Sequence, residues 1–413
     1  MTTQDWQVIS GGVTAPRGYR AAGIVAGLKP SGAPDLTLIV SEESAIAAGV
    51  FTQVQVRAAP VDYCQQRLQE KPAARAILIN AGQANACTGA QGMTDALECA
   101  QVLGQALSVP PEQILLASTG VIGQRIKMEP LKAAIPRLVA EAMDPNKDLE
   151  VAAAEAARAI MTTDLVPKTV ALEAMVDSRP VRVGGMTKGS GMIHPNMATM
   201  LAFITCDAAV TPSLWQQMLV KAVDQSFNQI TVDGDTSTND TVLALANGLS
   251  RTPAITDENS PHAQQLQEML TAACVDLAKA IARDGEGATC LLEIQVSGAT
   301  DEAAARQVAR TIAGSSLVKS AVFGRDPNWG RIAAAAGRAG VAFDPSQLQV
   351  KLGDFLMMEA GTPLPFDRAS ASNYLKQKDV VISVSLGDGP GNGTAWGCDL
   401  SYDYVKINAE YTT

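Results

Sequence analysis

Lys188-Gly189-Ser190-Gly191-Met192-Ile193-His194-Pro195-Asn196-Met197-Ala198-Thr199-Met200-Leu201-Ala202-Phe203-Ile204-Thr205 joins a glycine-rich, turn-forming half to a β-prone half beginning at Thr199. On residues alone, this is a loop entering a core strand. The segment also permits a chemical reading. Were the chain opened between Ala198 and Thr199, Thr199 would become the first residue of a buried strand and carry a free α-amine. That amine has a reference pKa of about 7.7–8.0, so part of it is neutral at pH 7 and accepts the threonine hydroxyl proton. Threonine's β-branch also stiffens χ1 and helps hold the hydroxyl in one attacking rotamer.

A base that needs no histidine matters here, because His194 and His262 are the only histidines among 413 residues. A multi-histidine metal site is excluded, and few ways remain to build a histidine triad. The net charge of −10 and the absence of a basic block make the chain a poor partner for phosphate backbones. Seven cysteines, odd in number and without CxxC spacing, are expected to be buried or incidental thiols in a reducing compartment. No positive n-region precedes an apolar stretch at the N-terminus, and no eighteen apolar residues run together, so a soluble cytoplasmic protein is expected.

Several motifs fail on inspection. In Lys188-Gly189-Ser190-Gly191 the lysine precedes the glycine, so the phosphate-loop order is absent. Aligned as a calcium loop from Asp233, the sixth position is Thr238 and the twelfth Ala244, where Gly and Glu are required.

Strand-like runs alternate with Ala-rich amphipathic stretches, which predicts an α/β (α+β) protein. Strands are expected at Ala21 to Leu28, Leu36 to Val40, Gly49 to Val54, Ala76 to Asn80, Ile114 to Ala117 and Val181 to Val183. Helices are expected near 93–107 and 148–160, after a Thr211 N-cap with Pro212 at the first position, and from Pro261 to Arg283. Beyond Gly285-Glu286-Gly287 the pattern predicts a strand at Cys290 to Val296, a helix at 301–312 and strands at Val318 to Phe323 and Val380 to Leu386. A flexible turn at 387–393 should then lead into a final β segment. A packing boundary near 284 divides a main body, 1–283, from a smaller domain, 284–413.

The quoted segment resembles the self-cleavage region of the ornithine acetyltransferase family, also called glutamate N-acetyltransferase or the bifunctional arginine-biosynthesis protein. Other blocks resemble that family in order along the chain: Asn80 to Gly89, Ser118-Thr119-Gly120-Val121-Ile122-Gly123, Met161-Thr162-Thr163-Asp164, Val232 to Asp240, Asp284 to Thr289, Gly324 to Arg331 and Ile407 to Thr413. The resemblance implies a helix–sheet–sheet–helix sandwich like β-aminopeptidase-type N-terminal-nucleophile enzymes, plus a smaller α+β C-terminal domain. It implies self-cleavage between Ala198 and Thr199 into an α chain, 1–198, and a β chain, 199–413, assembled as a heterotetramer of two of each.

The activity implied is ping-pong transfer of acetyl from N2-acetyl-L-ornithine to L-glutamate through acetyl-Thr199, without cofactor or metal. Some family members also accept acetyl-CoA, and nothing legible here separates the two kinds. Matching assigns Thr119 and Gly120 to the oxyanion hole, and Thr162, Lys188, Thr199, Glu286, Asn408 and Thr413 to substrate. Lys188 would hold the α-carboxylate that ornithine and glutamate share, and Glu286 would pair with ornithine's side-chain ammonium. Thr162 rather than Thr163 is chosen on spacing to Thr199. Without the resemblance, Thr119-Gly120 is a strand-ending turn and Lys188 a solvated loop lysine. His194 is expected to stay out of catalysis, His262 to face solvent, and Arg325, Asp326, Asn328 and Arg331 either line the site or staple the C-terminal domain. The rival reading is an aminopeptidase or amidase of related fold using Thr199 with water as acceptor.

Overall fold

The computed structural model describes residues 6–194 and 200–410. Ala198, Thr199 and Thr413 therefore lie outside the described residues. In chain order the main body contains β1 (Trp6–Val8), β2 (Tyr19–Ile24), β3 (Leu36–Phe51), α1 (Ala59–Glu70), β4 (Ala73–Gln83), α2 (Gly89–Leu107) and β5 (Ile114–Val121). It continues through α3 (Met128–Met143), α4 (Leu149–Ala159), β6 (Lys168–Val176), β7 (Arg179–Lys188), β8 (Leu201–Cys206), α5 (Pro212–Asp224), β9 (Thr241–Ala246) and α6 (Pro261–Arg283). The remainder contains β10 (Leu291–Gly298), α7 (Glu302–Ala313), α8 (Ser316–Phe323), α9 (Trp329–Gly337), β11 (Gln349–Leu352), β12 (Phe355–Glu359) and β13 (Thr362–Pro363). It ends with α10 (Arg368–Tyr374), β14 (Asp379–Ser385), β15 (Gly389–Cys398) and α11 (Tyr402–Glu410).

Strand β8, which follows the segment first quoted, is buried at every residue. Its alternation sends Leu201 and Phe203 into one core and Ala202, Ile204 and Cys206 into another. The first core also holds Leu38 and Ile77 with Leu103, Leu131, Leu138 and Ala156 of α2–α4. The second is closed by Trp215 and Leu219 of α5 and by Leu266, Leu270 and Leu277 of α6. Helices thus cover both sides of two β layers, giving the helix–sheet–sheet–helix sandwich. The layers are continuous, in the order β1-β6-β7-β8-β9-β3-β4-β5 with β2 beside β3. Strand β3 makes the join: residues 36–40 pair with β2 and β4, residues 46–51 pair with β9, and the register shifts between Val40 and Ala45. Leu36 to Val40 and Gly49 to Phe51 are accordingly parts of one bent strand and not two, because exposed Glu42 and Glu43 mark a bend and not a turn, and residues 52–54 of the expected second strand lie beyond its end.

Helix α6 spans the expected Pro261–Arg283, with Ser260 Oγ accepting from Ala263 N at 3.2 Å as its N-cap. Helix α5 starts at Pro212 as expected, but Thr211 makes no side-chain cap bond. The remaining residues form a six-stranded sheet, β13-β12-β11-β14-β10-β15, around a third core.

Two expectations for this region are corrected. Val318 to Phe323 lies in helix α8, with Val318, Ala321 and Val322 buried at helical spacing; a short apolar run does not distinguish helix from strand. The glycines of 387–393 mostly belong to β15 itself. A Cβ at Gly389, Gly391 or Gly393 would come within 2.0 Å of Ala299 O, 2.1 Å of Asp301 O or 2.5 Å of Arg306 N. The glycines therefore let β15 pack against α7 and the loop before it, which is close approach and not flexibility.

Candidate active site

Strands β4 and β5 run parallel, with Ala81 opposite Thr119 and Gly82 opposite Gly120. A Cβ at Gly120 would lie 2.3 Å from Gly82 C, and its φ of 125° falls where L side chains are strained, so only glycine fits. Neighbouring polar groups fix this strand end. Ser118 Oγ donates to Asn80 Oδ1 at 2.6 Å, and Asn239 Nδ2 donates to Ala84 O and Ser118 O at 2.6 and 2.8 Å.

Lys188 ends β7 and reaches across to donate to Thr119 Oγ1 at 3.3 Å. Burial pulls its ammonium below the ordinary lysine range; Asp164 is the strongest opposing influence, Lys168 adds to the fall, and Asp240 and Glu286 oppose it. Asp164 in turn accepts from Lys168 Nζ and Gly189 N, each at 2.7 Å, and from Thr162 N at 3.0 Å. Burial alone would raise its carboxyl, but the Lys188 and Lys168 charges prevail and hold it at about 2. Lys168 Nζ also donates to Asp284 at 2.6 Å, closing a buried Asp164–Lys168–Asp284 group.

The adjacent threonines separate clearly. Thr163 Oγ1 is engaged with Ser190 Oγ at 2.7 Å, whereas the Thr162 hydroxyl has no partner among the described residues. Glu286 enters beside Gly191, where a Cβ would sit 2.5 Å from its carboxyl group, and accepts from Asn408 Nδ2 at 2.9 Å. Asn408 belongs to α11, which folds back over the body: Ser401 Oγ donates to Gly287 O at 2.6 Å, and Tyr402 stacks edge-on against Phe323 at 5.4 Å. Thr119, Gly120, Thr162, Lys188, Glu286 and Asn408 line one cavity of about 180 Å³.

Both flanks of residues 195–199 are pinned. Asp233 accepts from Met192 N and Ile193 N at 2.6 and 2.9 Å, and Thr236 Oγ1 donates to His194 O at 2.8 Å. On the far side Thr241 N donates to Met200 O at 2.9 Å, and Thr187 Oγ1 to Leu201 O at 2.8 Å. His194 Nδ1 meets Thr231 Oγ1 at 3.0 Å, and burial, reinforced by Arg310, lowers its pKa to about 4. It is neutral at pH 7 and lines a different cavity.

Arg325, Asp326, Asn328 and Arg331 are absent from the 180 Å³ cavity lining. Asp326 accepts from Asn328 and Arg368, and Arg331 Nη1 donates to Leu317 O, so these residues fasten the C-terminal region. His262 is exposed in the first turn of α6.

Asp164, Lys168, Asn239 and Tyr404 carry no site signal in the sequence, and Asp233 stands out there only as the start of a failed calcium loop, although Asp164, Asp233 and Asn239 lie in family-like blocks. Tyr404 and Asp233 line the cavity with the others, and burial, with Asp233 and Glu286 nearby, pushes the Tyr404 phenol up.

Fold and pocket define a layered α/β protein that gathers a lysine, an acid, an amide and threonine hydroxyls where the chain enters a buried strand. The ArgJ family model matches residues 20–413, and the chain belongs to the ArgJ family. Arginine biosynthesis bifunctional protein ArgJ 1 of Nostoc sp. is 68% identical over 418 residues, covering 99% of this chain and 100% of that protein. The bifunctional ArgJ of Synechocystis sp. is also 68% identical, with the same coverage. Among solved structures, ornithine acetyltransferase of Mycobacterium tuberculosis complexed with ornithine is 44% identical, with a TM-score of 0.43 over 47% of this chain and 100% of that one.

Proposed function

We propose that this chain is a glutamate N-acetyltransferase of arginine biosynthesis, carrying acetyl from N2-acetyl-L-ornithine to L-glutamate, with acetyl-CoA as an alternative donor. The observation that carries the reading is the convergence of Thr119, Gly120, Thr162, Lys188, Glu286 and Asn408 on one cavity of an ArgJ-family chain.

In the proposed maturation, Thr199 Oγ attacks the Ala198 carbonyl carbon. The C–N bond breaks as the new ester forms, the hydroxyl proton ends on the freed amine, and water hydrolyses the ester. In turnover the Thr199 amine takes the hydroxyl proton while Oγ attacks the acetyl carbonyl of acetylornithine, and the proton passes to the departing α-amino nitrogen. Glutamate's neutral amine then attacks the acetyl ester and restores the threonine hydroxyl. Thr119 and Gly120 stabilise the oxyanion, Lys188 binds the shared α-carboxylate, Thr162 supplies a free hydroxyl, and Glu286 pairs with ornithine's ammonium. Thr413 completes the substrate contacts from the C-terminal tail. A neutral His194 on another cavity supports the α-amine as base.

The reading divides the mature enzyme into chains 1–198 and 199–413, paired as two α and two β, with a packing boundary near 284 supported by the separate third core. Intact mass of the denatured protein tests it: two chains split after Ala198 are expected, followed by glutamate-dependent turnover of acetylornithine. One undivided chain, or acetate release that ignores glutamate, would overturn it, the latter in favour of an amidase.

A further inference from the structure

A second cavity, of about 630 Å³, opens beside His194, two residues along the chain from Met192 of the transfer pocket. Asp224, Asn228 and Gln229 form one wall, Arg306 and Arg310 of α7 another, and Arg338 beyond α9 a third. Arg306 is tied to Glu302 at 3.1 Å, and Asp224 is engaged by Asn228 Nδ2 at 2.7 Å. The Arg310 and Arg338 guanidiniums have no hydrogen-bond or ion-pair partner among the described residues, and Arg310 Nε is buried. Gln229 is 7% exposed, and its Oε1 is likewise buried without a partner. Its orientation is set by Nε2, which donates to Asp224 O at 3.0 Å.

A guanidinium N–H withdrawn from water with no acceptor, as at Arg310 Nε, is costly, and proteins ordinarily pair such a group. Burial pulls Arg310 down to about 10, which leaves it cationic at neutral pH. We propose that this cavity is a second ligand site, taking a small molecule that carries an oxyanion, phosphate or carboxylate, together with a hydroxyl or N–H donor. The oxyanion meets Arg310 and Arg338, and the donor meets Gln229 Oε1. The cavity is of a size suited to a small organic ligand and is larger than a bare ion needs.

The frame around it is fixed. Gln307 Nε2 donates to Ala339 O at 2.7 Å, holding α7 against the segment that carries Arg338. On the other side, Thr231 meets His194, and Val232 N donates to Ile193 O at 2.7 Å, so a ligand here sits against the chain that leads to the transfer pocket.

The test titrates full-length protein with inorganic phosphate, coenzyme A and citrate, by calorimetry and by the ring resonances of its two histidines. Saturable binding should shift His194 and leave His262 in place. Arg338→Ala and Arg310→Gln should each weaken binding about tenfold or more, whereas Lys188→Ala should leave it unchanged. Arg338 is exposed, so its variant tests the site even if Arg310→Gln folds poorly. Binding by phosphate and coenzyme A with citrate silent identifies a phosphate ligand; the reverse identifies a carboxylate. The proposal is overturned if no probe binds at millimolar concentration, if binding survives Arg338→Ala, or if Lys188→Ala abolishes it. It is also overturned if Arg338→Ala dissociates an oligomer while no probe binds, since the cavity would then be an interface.

Discussion

The transfer pocket and the cationic cavity meet the chain at neighbouring residues, 191–192 and 194, yet treat buried charge in opposite ways. At the first, Lys168 lies between Asp164 and Asp284, and Asp164 also receives two backbone N–H groups. That arrangement is satisfied before substrate arrives and holds Thr162 and the Lys188–Gly189 turn in place. At the second, the buried Nε of Arg310 stands without an acceptor, with the exposed guanidinium of Arg338 on the same cavity. Satisfied charge builds a scaffold for chemistry that demands fixed geometry. Unsatisfied charge leaves the favourable contact for a ligand to make.

The two cavities should respond most differently to loss of Thr199. Thr199→Ala should leave one uncut chain and lower transfer roughly 10⁴-fold or more, yet leave anion binding beside Arg310 intact. Mass spectrometry, turnover and calorimetry on one preparation check all three. Next in size is a matched pair of charge removals. Lys168→Met strands two buried carboxylates and should cost about 3–5 kcal/mol in denaturant unfolding, whereas Arg310→Met removes an unpaired cation and should be neutral or stabilising. Equal losses in the two variants would mean that satisfied and unsatisfied charge contribute alike to stability.

Thr119→Ala should lower kcat by about 10²–10³, slowing self-cleavage in parallel because both steps pass through an oxyanion. Cleavage at the normal rate would confine Thr119 to substrate binding. Glu286→Gln should raise KM for acetylornithine by about tenfold; an unchanged KM would remove ammonium pairing from the mechanism.

The smallest effect concerns pH. The folded pKa of His194, about 4, lies below its ordinary 6.5, so the unfolded chain binds the extra proton between those values. Its contribution is intact above pH 6.5 and is lost as pH falls toward 4. His194→Gln should therefore differ from the parent in pH dependence only within that window, by on the order of 1–2 kcal/mol because the ring is partly solvated. Asp164, depressed to about 2, adds an acid loss at lower pH, as pH falls from 3.8 through 2, and this should persist in the His194 variant.

Much of the site was legible because its residues lie in short contiguous blocks. Thr119-Gly120, Lys188, Glu286 and Asn408 were named from such blocks and line one cavity. Lys168 was not, since a lysine opening a strand has no local signature; its role comes from Asp284, 116 positions away. Spacing to Thr199 favours Thr162 over Thr163, and the physical difference between the two is the Ser190 hydroxyl that engages Thr163, which only the fold brings near.

Periodicity by itself determined the long α6 and most strands of the main body, and composition the scarcity of histidine that directs attention to an amine base. These depend on residues within a few positions of one another or on counting. Tertiary structure decided that Val318 to Phe323 coils, that β3 bends through both β layers, and that the 387–393 glycines form a strand beneath α7. Each is settled by a partner distant in sequence: a short apolar run takes the conformation that buries it, and a glycine's purpose depends on which backbone approaches. The same holds for Arg310 Nε and Gln229 Oε1, on residues unremarkable in the sequence whose buried, unpartnered state belongs to the packed fold.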